Sequence, residues 1–336
     1  MTVTGNVGEN QGVKDTLDSL VQRADLDGLV RHVDDTCAAR EWDHLLAVRD
    51  AARRAVDTGR QLWPIATLAN QRLALWAPAP LAARAFDDAA RTFMPGPVSE
   101  IVAVHHTWRD MSPHLVDGHD RALVAHERAL RGDEIDGDEP EMLDVPFAIQ
   151  SWEPRYEVAV YTDDGVDSPA PVIDVEWEWI ACEPAATIAD DPTADAFRRM
   201  MEPWTAQSNG SARCAVVEGD ETDALGALGF DRVLLSPITP QDALARLAWA
   251  AASGGAHGRR RGAATGRSEA WWLLAVFAGL DDEWPCDPAG LGEVVESCEW
   301  FAFENDEAPT GGWGLHLVVV DPEEGLAAAF DATDRA

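Results

Sequence analysis

The segment PVIDVEWEWI, Pro171 to Ile180, alternates strictly, with Ile173, Val175, Trp177 and Trp179 in one set of positions and Asp174, Glu176 and Glu178 in the other. Side chains on a β-strand point to opposite faces with a period of two, so the run reads as a strand with an apolar face for a core and a wet face opposite. Upstream, Tyr156, Val158 and Val160 alternate with Arg155, Glu157, Ala159 and Tyr161. Asp163-Asp164-Gly165 and the prolines Pro169 and Pro171 punctuate the interval, as expected for paired strands. The acidic row Asp174, Glu176 and Glu178 has the chemistry to hold a cation or share a proton, although such a row is more often the solvated face of an antiparallel strand.

Downstream of this segment, CAVVEG from Cys214, VLLSPI from Val233, WFAFEN from Trp300 and WGLHLVVV from Trp313 also read as strands. Helices are expected over 193–206, 223–228, 240–252, 269–280, 291–297 and 322–334. Thr239, with Asp242 three residues on and Pro240 between, is a helix N-terminus by its capping chemistry.

Upstream, the period changes. Leu17, Leu20 and Val21, then Leu26, Leu29, Val30 and Val33, then Trp42, Leu45 and Leu46 recur at spacings of three and four, which is helical. Proline and glycine interrupt this pattern often enough to give short connections and a bundle or a stack of helical hairpins, an architecture that commonly offers a binding surface. The fold expected is therefore α+β or α/β, with an all-helical domain over 13–131 and a mixed, acidic α/β domain over 147–336. Between them, 132–146 reads as a solvated linker, since seven of its 15 residues are acidic. Residues 1–12, with neither a basic start nor an apolar run, read as a disordered tail and not a signal peptide.

A formal charge of −34 opposes general nucleic-acid binding and attachment to an anionic membrane, because both depend on surface cations. No apolar run reaches the roughly 20 residues of a membrane span. Five cysteines, widely spaced and without a C-x-x-C pair, fit reduced thiols and a cytoplasmic protein.

Against this acidic background, GGAHGRRRGAATGR, Gly254 to Arg267, stands out: 253–268 holds four arginines and no acid. The 121 residues before it carry 6 Arg against 26 acids and the 68 after it 1 Arg against 16. Gly254 and Gly255 suit a helix end, and Ser268 or Thr265 suits the next N-cap. A helix N-terminus beside Arg259, Arg260, Arg261 and Arg267, with His257 and Ser268 at hand, would make an anion site. The same arginines can equally neutralise the chain's own carboxylates. The spacing fits neither a P-loop nor a dinucleotide fingerprint. Trp249, Trp271 and Trp272 bracket the stretch, as core residues or as faces on which a base or guanidinium stacks.

A second cluster places His105, His106, His114, His119 and His126 within 22 residues. Imidazole is a common metal ligand, but H-E-x-x-H spacing is missing, His105 and His106 diverge on a helix, and Pro113 interrupts the run. No catalytic motif is complete and no cofactor is implied. The sequence thus favours a binding or adaptor protein taking an anionic small molecule, phosphate or acidic peptide at 254–268. An enzyme on a phosphorylated substrate, with His257 as acid or base, and a metal protein using 105–126 are the alternatives.

Overall fold

The computed structural model describes residues 17–91, 93–135, 142–163, 165–183, 187–305 and 313–335. The expected tail, 1–12, lies outside them. Two compact units emerge, one formed by Met1–Arg121 with Tyr161–Val166 and the other by Ala122–Val160 with Asp167–Ala336.

The first unit is helical. Asp25 caps α1 (Leu26–Ala38) by accepting a hydrogen bond from the Gly28 N–H at 2.9 Å. It is followed by α2 (Trp42–Asp57), α3 (Trp63–Trp76) and α4 (Val98–His105). Pro64 stands in the first turn of α3, where its missing N–H costs nothing. This helix packs against α1, α2 and α4 and is buried along almost its whole length, which is why its sequence shows little amphipathic contrast. Its Ile65, Ala69 and Leu73 meet Leu29 and Val33 of α1 and Leu45 and Val48 of α2 in one core.

The second unit joins most of α5 (His119–Leu130) to a short hairpin, β1 (Val160–Tyr161) with β2 (Val166–Asp167), whose tip belongs to the first unit, and to a six-stranded sheet with its covering helices. The sheet contains β3 (Glu178–Ala181), β4 (Ser211–Glu218), β5 (Arg232–Ile238), β6 (Glu299–Glu304), β7 (Trp313–Asp321) and β8 (Leu326–Asp334). Their order is β3-β5-β6-β7-β8-β4, with every neighbour antiparallel. The helices are α6 (Thr193–Met200), α7 (Glu221–Ala227), α8 (Pro240–Ser253), α9 (Ala263–Phe277) and α10 (Pro288–Ser297). Period-two alternation divides the sheet between two cores. Leu315, Leu317, Val319 and Phe330 meet Phe197, Leu247, Leu274 and Leu291 of α6, α8, α9 and α10 on one face, while Val318, Val320, Ala327 and Ala329 meet Leu225 of α7 on the other. The chain is α+β, helical first and then built on an antiparallel sheet.

Four expectations change. The helix expected over 322–334 is strand β8: its alanines have helical propensity, but pairing with β7 on one side and β4 on the other, with Ala327 and Ala329 buried on one face and Ala328, Phe330 and Ala332 on the opposite one, overrides it. Of the alternating run 171–180, only its end joins β3, a strand at the sheet's edge, and Trp177 and Trp179 are 36% and 47% exposed. The Arg232 guanidinium lies 4.7 Å from the Trp179 ring centroid, so a cation covers that indole in place of a core. Pairing around 156–161 is likewise confined to Val160 and Tyr161. In the expected linker, 136–141 lie outside the described residues, but Val145 is buried and Leu143 packs on the main core of the second unit, so these two positions are not solvated.

Candidate functional site

Helix α8 ends as its glycines predict, with Gly254 and Gly255 both at φ +75°. A Cβ on Gly254 would come within 2.1 Å of the Arg259 carbonyl oxygen, and one on Gly255 within 2.3 Å of Asp334 Oδ2. The turn is therefore wound too tightly on itself and on the end of β8 to admit any other residue there. The next helix begins earlier than its capping residues suggest. Gly262 is the N-cap of α9, Ser268 lies inside the helix and donates to the Leu143 carbonyl at 2.9 Å, and Arg267 also projects from the helix body.

The anion receptors of this stretch face the chain's own acids. Ala256 N–H donates to Asp334 Oδ2 at 2.6 Å, and Ala264 N–H, in the first turn of α9, donates to Glu127 Oε1 at 2.9 Å. Arg261 Nη2 pairs with Glu269 Oε1 at 2.5 Å. Arg267 sits 2% exposed against Glu153, 0% exposed, through two 2.6 Å bonds from Nε and Nη2. Its Nη1 donates to the Pro146 carbonyl at 2.6 Å. Burial alone would lower the Arg267 pKa, but the hydrogen bonds and charge of Glu153 more than offset it and hold the group above its ordinary value. Arg260 is buried and donates to Ser168 Oγ at 2.8 Å, Arg259 is exposed with contacts of its own, and His257 is exposed with its backbone N–H on Ser208 Oγ at 3.0 Å.

Beside this clasp lies a pocket of about 280 Å³, lined by Ser168, Pro169, Ala170, Arg246, Trp249, Trp313 and Gly314. Arg246 and Trp249 stand three residues apart on α8 and so share one side of it. The Trp249 indole stacks on Trp313, the first residue of β7, at 5.1 Å between centroids and 11° between planes. Trp204 meets both edge-on at 6.0 and 6.3 Å, and its own Nε1 is tied to the Ala250 carbonyl at 3.1 Å and to Ser253 Oγ at 3.0 Å. Trp249 Nε1 donates to the Ser168 carbonyl at 3.1 Å, so Ser168 is held from one side by Trp249 and from the other by Arg260.

Arg246 is the exception to the internal pairing. Its Nε is buried without a hydrogen-bond partner, and it makes no ion pair among the described residues. Burial brings its pKa below the ordinary value, partly offset by the charges of Glu304 and Asp242. A cation beside a rigid indole pair can receive a planar anion, with the charge on the guanidinium and the ring against tryptophan. Sequence reasoning singled out Trp249 but passed over Arg246, the one basic residue of PQDALARLAWAAAS; the signal was its spacing from that tryptophan.

The histidines do not converge. His105 stacks on Trp76 at 4.4 Å, whereas His126 is buried against Phe147 at 4.3 Å, where burial first and Arg267 second push its pKa down to about 3. His106 follows His105 as the C-cap of α4, His114 ends a single 3-10 turn and His119 begins α5. Among the described residues, no three His, Cys, Asp or Glu side chains are grouped to hold a metal. All five cysteines are free, and burial pushes Cys214 and Cys298 up to about 12. Among the described residues, no helix is long and apolar enough to cross a membrane.

A family model described as a family of unknown function, DUF6183, matches residues 27–336. The chain belongs to that family. No curated protein and no solved structure matches it. The DUF6183 match spans helical unit and sheet unit alike, so the basic clasp, the Arg246 pocket and the helical core all fall within one family region.

Proposed function

We propose that this chain is a binding protein whose ligand is a small planar anion, an aromatic carboxylate or a compact phosphorylated ring, held in the Arg246, Trp249 and Trp313 pocket. The observation that carries this reading is the buried Arg246 Nε without a partner, in a unit whose Arg261 and Arg267 are paired with acids. A buried donor left unsatisfied costs roughly 1–3 kcal/mol, which a small rotation of the Arg246 side chain toward an acceptor in the pocket would recover. The volume of about 280 Å³ suits a small ligand and is too tight for a dinucleotide. The basic loop enters as support, since Arg260 holds Ser168 against the pocket wall. No reaction is proposed, because the exposed His257 has no partnered acid, base or nucleophile around its ring among the described residues.

Calorimetric titration with benzoate, indole-3-carboxylate, adenosine monophosphate and sulfate tests this. At least one ring-bearing anion is expected to bind more tightly than sulfate. Arg246→Gln should then weaken it by about tenfold or more, the loss of one charge-assisted hydrogen bond. Equal affinities in the native protein and Arg246→Gln, or binding of none of the ring-bearing anions, would overturn the assignment.

A further inference from the structure

The helical unit carries its own polar cleft, about 890 Å³ in volume, whose walls include Asp34 and Cys37 of α1, Trp42 of α2, Arg72 and Trp76 of α3, and His105 at the end of α4. Its floor is prepared for a carboxylate. Arg72 is largely buried, with Nη2 at 3.5 Å from Asp34 Oδ1 on one side and Nη1 bonded to Asp163 Oδ1 on the other. Trp76 Nε1 donates to the same Asp163 oxygen at 2.9 Å. The indole itself is 39% exposed, stacked against His105 and open to the cleft. One residue before, the Thr162 carbonyl accepts from Gln71 Nε2 at 3.4 Å. Tyr161 is the fixed point: it is buried, its hydroxyl donates to Glu100 Oε2 at 2.5 Å, and a Cβ on Gly96 would come within 1.8 Å of that hydroxyl.

These contacts differ in how firmly they hold. Tyr161 is locked by a buried hydrogen bond and a glycine-shaped slot. The Asp163 side chain is 58% exposed where it meets Arg72, so solvent competes for it. Residues 162 and 163 therefore read as a short acidic peptide laid across α3, with a backbone carbonyl on Gln71 and the next side-chain carboxylate on Arg72 and Trp76. Arg40 and Trp42 also line the cleft, whose volume of about 890 Å³ exceeds what one carboxylate fills and leaves space for flanking residues of a longer segment.

We propose that this cleft is a docking site for an acidic peptide segment of a partner protein, and that Asp163 holds in cis the position the partner's carboxylate takes in trans. Charge selects the occupant. The receptor donors at the carboxylate position are Arg72 and the Trp76 N–H, and Arg40 also lines the cleft. A partner's carboxylate would meet Arg72 at the place of Asp163, with Asp34 remaining on the other side of the same guanidinium. A tethered carboxylate competes at an effective concentration in the millimolar range, so it lowers the apparent affinity for any external peptide. The site is distinct from the Arg246 pocket and does not depend on that assignment.

The test uses the full chain and fluorescence anisotropy with a fluorescein-labelled, amidated peptide Thr-Asp-Asp-Gly, the sequence of residues 162–165. Asp163→Asn, which removes the competing charge, should bind this peptide at least about tenfold more tightly than the native chain. Adding Arg72→Gln should abolish the gain, and a peptide with Asn in place of its first Asp should bind the Asp163→Asn chain several-fold more weakly. If Arg72→Gln fails to fold, Trp76→Phe in the Asp163→Asn background keeps the ring, deletes the donor, and should also weaken binding several-fold. Unchanged affinity in Asp163→Asn, equal binding of the Asp and Asn peptides, or insensitivity to both Arg72→Gln and Trp76→Phe would overturn the proposal.

Discussion

Glu153 accepts from Arg267, Trp271 Nε1 at 2.9 Å, Tyr156 Oη at 2.6 Å and the Gln150 N–H at 2.8 Å, so one buried carboxylate organises a cation, two aromatic donors and a turn. A buried ion pair contributes little net stability unless its remaining hydrogen-bonding capacity is met, and here it is. Burial first, and the charge of Glu153 second, hold the Tyr156 hydroxyl well above its ordinary pKa, so it stays a donor. His126 is the weak point of the same region, because its Nε2 is buried without a partner and its pKa falls to about 3. The unfolded chain takes up a proton on this histidine near pH 6.5, but the folded chain does not until near pH 3, so acidification over that window favours unfolding. Each pH unit within the window should cost roughly 1.4 kcal/mol. Denaturant melts at pH 6.5 and 5 should therefore show about 2 kcal/mol more loss in the native chain than in His126→Leu. Equal losses in the two proteins would remove His126 from the account of acid sensitivity.

At the scale of elements, α8 and α9 cross so closely at Gly266 that a Cβ there would come within 2.2 Å of the Ala248 carbonyl oxygen and 2.7 Å of Ala252 Cβ. Helix propensity favours alanine over glycine by about 1 kcal/mol, but the obstruction is helix backbone and cannot rotate away. Gly266→Ala should thus destabilise by roughly 1–3 kcal/mol, the usual range for overpacking, and a raised melting temperature would show that the helices separate freely. Strands β4 to β7 were legible because each carries β-branched or aromatic residues on a buried face. Strand β8 was not, because its alanines answer to neighbours on both sides and carry no period of their own. At 171–180 the period was plain, but alternation cannot say whether anything covers the apolar side, and little covers Trp177 and Trp179. The arginine cluster at 259–267 was equally plain, whereas Glu153, which pairs with Arg267, and Glu127 and Asp334, which accept from the Ala264 and Ala256 N–H groups, stand far along the chain and only the fold brings them in. Arg246 escaped notice because a lone arginine in an amphipathic helix looks like a solvated residue.

For the whole molecule, a charge of −34 sets the field in which any anion must bind. That field repels anions at long range, while the attraction of a partly buried guanidinium acts at contact and is screened far less. The Debye length shrinks from about 30 Å at 0.01 M salt to about 8 Å at 0.15 M. Affinity for the ring-bearing anion at Arg246 should therefore rise over that interval, opposite to the behaviour of a basic anion binder. Titration at the two salt concentrations checks this, and a fall in affinity would indicate a site governed by exposed cations. Strand β8 also imposes an order of events during synthesis. Strand β4, at 211–218, has β8 as its neighbour in the sheet, and β8 is translated more than a hundred residues later. Until residues 327 to 329 have left the ribosome, the Val318 to Val320 edge of β7 has no neighbour on that side, and the nascent sheet carries an open apolar margin that a holding chaperone is suited to cover.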